Sequence, residues 1–103
     1  MASGILARLD MTINSNNSVY TVPASKVASV TLSLCNRGGV DAAVKVALST
    51  SSSPANGDYI EWNTVIPIGS VFERTGIVMD ASKIIVITPD VANVSAVVYG
   101  FEE

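Results

Sequence analysis

Histidine is absent from this chain, and with it go the usual general base, the commonest metal ligand and the middle member of a hydrolase triad. Cysteine occurs once, as Cys35, so no intrachain disulfide can form. A reducing cytoplasm is the expected place of synthesis and assembly. Charge is sparse as well: only 15% of the 103 residues are charged, against roughly 25% in an average soluble protein. The cations Arg8, Lys26, Arg37, Lys45, Arg74 and Lys83 stand singly. Without a basic stripe to neutralise a run of phosphates, nucleic acid is not an expected partner. No apolar run approaches the ~20 residues of a helical membrane span, and Arg8 and Asp10 interrupt the only apolar stretch near the N-terminus. Neither a signal peptide nor a membrane partner is expected.

What is present is aliphatic and β-forming. Hydrophobic residues make up 49% of the chain, and the net charge is -3. Strict alternation is clearest from Lys26 to Asn36, where Val30, Leu32 and Leu34 interleave with Ser29, Thr31, Ser33 and Cys35. Asp41 to Ser49 alternates again, and the intervening Asn36-Arg37-Gly38-Gly39 is turn chemistry. The two runs are expected to form an antiparallel hairpin. Further short strands are expected at Ile5–Thr12, Val19–Val22, Tyr59–Trp62, Val71–Met79, Lys83–Thr88 and Val94–Phe101. The polar stretch Ser49–Gly57 is expected to cross the surface as a loop. The expected fold is therefore all-β: an antiparallel two-sheet sandwich or jelly roll of about eight strands, a single domain over 1–103, with 1–12 an N-terminal arm or edge strand.

Two of these strands are too apolar for a sheet with one wet face. Ile84, Ile85, Val86 and Ile87 run without a polar break, and Val94–Phe101 is apolar on both faces. Leaving a side chain such as Ile85 or Phe101 in water forfeits roughly 1.5–3 kcal/mol relative to burying it. Either the Ser49–Gly57 loop or the N-terminal arm covers these strands, or a second subunit does. The low charge favours a homo-oligomer, with Ile85, Ile87, Val97, Tyr99 and Phe101 as its interface.

The search for chemistry returns little. The nine carboxylates lie singly at strand ends and turns, without the spacing of a calcium loop or an evident acid–base pair. Cys35 alternates with hydroxyl residues at a strand end, as a half-buried structural thiol does. Gly38-Gly39 joins strand to strand and opens no helix that could cradle a phosphate. No catalytic residue, cofactor or metal is expected. Asn16-Asn17-Ser18 and Asn93-Val94-Ser95 match the glycosylation acceptor pattern, which is too short to weigh without a secretory signal. Tyr59 and Trp62, with Tyr20, offer an aromatic platform for a sugar or a protein partner.

The strings Val19-Tyr20-Thr21-Val22-Pro23-Ala24, Leu34-Cys35-Asn36-Arg37-Gly38, Asp58-Tyr59-Ile60-Glu61, Glu73-Arg74-Thr75-Gly76-Ile77 and Val97-Val98-Tyr99-Gly100-Phe101-Glu102 resemble small virion structural proteins of tailed bacteriophages. The resemblance implies a capsid decoration or cement protein: a non-enzymatic β domain on the outer surface of a phage shell, bound to the major capsid protein and to copies of itself, often as a trimer. It carries no catalytic residues to transfer. Two other expectations stand beside it: a tail, baseplate or fibre component that contacts a receptor, and a lectin-like or carbohydrate-acting module.

Overall fold

Residues 2–103 are described by a computed structural model, and among them eight strands are joined by turns and loops, with one short 3-10 turn, Asn56–Asp58, as the sole helical element. The strands are β1 (Ala2–Asp10), β2 (Asn17–Thr21), β3 (Ala28–Asn36), β4 (Ala42–Ser49), β5 (Tyr59–Ile66), β6 (Val71–Met79), β7 (Ile84–Pro89) and β8 (Val94–Glu102). They form two antiparallel four-stranded sheets, in the order β1-β8-β3-β6 and β2-β7-β4-β5. The pairs β1·β8, β2·β7, β3·β6 and β4·β5 nest about the β4–β5 connection as one long two-stranded ribbon would, and β8·β3 and β7·β4 complete the sheets.

Alternation explains which face of each strand is dry. Val30, Leu32 and Leu34 of β3 and Val94, Ala96 and Val98 of β8 turn inward from the first sheet. Val44 and Val46 of β4 and Ile85 and Ile87 of β7 belong to the same core from the second. Turns occur where residues tolerant of positive φ stand, at Ser25, Ser82 and Asn93. Gly76 (φ +72°) forms a bulge in β6, so that the register with β3 slips between Val30 and Leu32. Gly100 sits where β8 and β3 approach so closely that a Cβ would lie 2.2 Å from the Ser29 carbonyl oxygen. At this end Ala2 lies opposite Glu102, and Val27 and Glu103 exchange backbone hydrogen bonds of 2.9 and 2.8 Å.

The expected hairpin between β3 and β4 does not form. These strands lie in different sheets, β3 between β8 and β6 and β4 between β7 and β5. The turn between them bridges the two sheets, and Asn36 holds it there. Its fully buried side chain donates to the carbonyls of Val40 (2.8 Å) and Ile66 (3.0 Å) and accepts from the Gly38 N–H (3.0 Å). The neighbouring Arg37 N–H bonds the Asn93 carbonyl at 2.9 Å, tying the turn to the start of β8. Only β4 and β5, joined by residues 50–58, are consecutive and paired.

Two more polar links cross between the sheets at their margins. Arg74 of β6 is ion-paired with Glu61 of β5. The phenol of Tyr20, on β2, donates to Glu102 of β8 at 2.5 Å. Burial and this carboxylate partner together push the Tyr20 phenol well above its ordinary value.

Replacing Asn36 with Ala leaves two carbonyls and one N–H without their partner. A loss of about 2–4 kcal/mol is expected in urea unfolding. Tyr20 supplies a pH signature. Below its unfolded value of 10.0 the phenol is protonated in both states and adds no pH dependence. Above pH 10 the unfolded chain loses the proton while the folded one keeps it, so stability falls as pH rises. Thermal melts should show this alkaline decline in the wild type, and Tyr20→Phe should make it shallower.

Candidate interaction surfaces

The five aspartates are engaged one by one in structure. Asp41, Asp58 and Asp90 accept from the backbone N–H groups of Ile68, Ala55 and Ala43 at 3.1, 2.9 and 2.8 Å. Asp10 pairs with Arg37 at 2.5 Å, tying the end of β1 to the turn after β3, and Asp80 pairs with Lys83 at 2.9 Å. Among the described residues no three of the His, Cys, Asp and Glu type gather as metal ligands. No helix among them is long and apolar enough to cross a membrane.

The two over-apolar strands have different fates. The sequence assigns Ile85 and Ile87 to a subunit interface, but both are completely buried in the core of this one chain. The reason is position: β7 is an interior strand of its sheet, and its inward side chains are these two. Val86, on the opposite side of the strand, is also buried, next to Ala47 of β4 in the register. Buried Ala47 and Ser49 share that outer side, and the Asn56–Asp58 turn lies against β4. The chain itself thus accounts for the apolar run of β7.

Strand β8 is different. Its outward residues Val97, Tyr99 and Phe101 lie on an uncovered face of the first sheet. Phe101 is 55% exposed and Tyr99 37%, and on the flanking strands Ile5 is 67% and Val78 68% exposed. Register brings them together: Ile5 stands beside Tyr99, and Val78, Ser29 and Phe101 share one cross-strand row. The Tyr99 hydroxyl donates to Glu73 at 3.0 Å, and that carboxylate holds the phenol proton on above its usual range. Ile5 and Val78 escape a reading of single strands because each stands in an unbroken apolar run, Ile5-Leu6-Ala7 and Ile77-Val78-Met79, that does not show which side is dry. Alternation across Val71–Met79 would set Val78 on the core side with Phe72, and the bulge at Gly76 is what turns it outward.

Tyr59 and Trp62 do come together. Their rings meet edge to face, with centroids 4.9 Å apart and planes at 87°. Both stand on β5 at the margin of the second sheet, and the Lys45 ammonium lies 4.8 Å from the centre of the indole ring. Trp62 is 60% exposed. Lys45 is the member the sequence does not suggest, since its place beside Trp62 depends on the β4·β5 register. Tyr20 does not join this platform; it is buried against Glu102 on another part of the molecule.

No family model, curated protein or solved structure matches the chain.

The separation between core and surface can be measured directly. Ile85→Asp places a carboxylate in a dry core and should abolish cooperative thermal unfolding followed by circular dichroism. Val78→Asp, on the open face, should leave the stability of the isolated chain within about 0.5 kcal/mol.

Proposed function

We propose that this chain is a virion structural protein, a capsid decoration or cement protein that binds the outer surface of a phage shell and stabilises it. The observation that carries the reading is the uncovered apolar face built from Ile5, Val78, Tyr99 and Phe101, on a domain whose buried polar side chains, among the described residues, are all hydrogen-bonded. Such a face offers hydrophobic burial for association and little for covalent chemistry. The resemblance of the quoted strings to phage virion proteins supplies the setting, with the major capsid protein and further copies of the chain as partners. Many weak contacts on one shell would multiply by avidity. The strand order, with its nested pairs, supports a jelly roll, a fold found in viral capsid and lectin domains. Fold alone does not choose between those roles.

A second reading rests on the Tyr59–Trp62 pair with Lys45 beside it. Exposed indoles stack on sugar rings, so this corner of the domain would suit a glycan, as in a lectin-like module or a receptor-binding tail component.

Co-sedimentation with phage shells lacking the protein separates the two. Saturable binding to shells, accompanied by a higher shell melting temperature, is the expected result. Shell binding should survive Trp62→Ala. Failure to bind shells, together with glycan-dependent quenching of Trp62 fluorescence that is lost in Tyr59→Ala, would replace the first reading with the second.

A further inference from the structure

The open face of the first sheet is uneven from strand to strand. Across it, β8 forms a ridge of large side chains, Val97, Tyr99 and Phe101. Beside it, the outward residues of β3 are all small: Ser29, Thr31, Ser33 and Cys35. A depression of about 390 Å³ crosses this face between Tyr99 and Phe101, running over Gly100 from Gly4 on β1 past Ser29 and Thr31 on β3 to Gly76 on β6. One row across the sheet runs Arg8 (β1), Val97 (β8), Ser33 (β3), Glu73 (β6). It therefore carries a cation at one edge and a carboxylate at the other. Among the described residues no carboxylate pairs with Arg8, and Glu73 receives only the Tyr99 hydroxyl.

We infer that two copies of the chain pack through this face about a two-fold axis that runs parallel to the strands, between β8 and β3. Such a rotation lays the β8 ridge of each copy over the β3 trough of the other and sets β1 opposite β6. Arg8 of each copy then faces Glu73 of the other, giving two symmetric ion pairs at the rim. The alternative two-fold, perpendicular to the strands, would stack ridge on ridge and leave both charges unmatched. Twisted sheets packed in this aligned way settle within about 30° of parallel, which the geometry accommodates.

Size is adequate. Four strands at ~4.8 Å spacing and about nine residues at ~3.3 Å rise give a face of about 19 by 30 Å, or about 570 Å² in projection. Accessible area on a corrugated face exceeds its projection, so the patch approaches the roughly 800 Å² per partner of a stable interface.

The inference rests on the reading of the chain as a binding protein, not on the identity of the shell, and it sets the assembly unit at two chains where the resemblance implies three. Sedimentation equilibrium on the purified full chain tests it without shells. The wild type should run at the mass of two chains; one or three would overturn the proposal. Arg8→Glu lies on an exposed edge and should keep the folded circular dichroism spectrum while weakening the pair about tenfold or more. The double exchange Arg8→Glu with Glu73→Arg should restore it. A pair that ignores the single exchange, or is not recovered by the double one, would equally overturn the arrangement. A dimer that fails to bind shells would remove the virion role and leave the pair intact, and a monomer that binds shells would do the reverse.

Discussion

A single layer of aliphatic side chains between two sheets must stay dry, and nearly every other feature of the molecule follows from that need. Each strand contributes only every second residue to the layer, so the inward positions are almost uniformly Val, Leu, Ile, Ala or Met. With roughly a hundred residues and no covalent cross-link, the domain has little stability to spare. Any polar group admitted to the layer must therefore bring its own partners. Asn36 does so by saturating three backbone groups at the point where the chain passes from one sheet to the other. Tyr20 and Arg74 do so at the margins, each satisfied by a carboxylate from the opposite sheet.

The strands themselves were legible because period two is a property of single segments, and Val30, Leu32 and Leu34 declare their face without reference to any neighbour. Pairing was not legible. A Gly-Gly turn serves a hairpin and a crossing between sheets equally well, and what decides between them is the buried amide of Asn36, whose partners at Val40 and Ile66 are identified only after folding. The same limit governed the surface. An unbroken run such as Ile84, Ile85, Val86 and Ile87 says that both sides of a strand are apolar, but not that its neighbours already cover it. Conversely, Ile5 and Val78 acquire meaning only when register places them around Tyr99 and Phe101.

The two surfaces differ in kind. On the first sheet the apolar residues flank the small, mostly polar side chains of β3 and are bordered by single charges, and Cys35 lies among them as a half-buried thiol between Ser95 and Val71. On the second, Tyr59, Trp62 and Lys45 are mutually engaged and occupy a corner. Broad and shallow surfaces suit other protein surfaces, whereas a compact aromatic corner suits a small ligand such as a sugar ring. The two surfaces lie on different sheets, and neither draws on the core.

Ala2 and Glu102 face each other across neighbouring strands, with Val27 and Glu103 bonded beside them. Both ends of the described chain consequently emerge at one corner, while the connection over residues 50–58 lies elsewhere, on the second sheet. A short linker would close the backbone into a ring with little strain, and new ends could be opened in that serine-rich connection. Any cargo fused to either end of the described chain would leave from the same place, beside Phe101 and the ridge it completes, whereas cargo carried on the serine-rich connection would stand clear of that face.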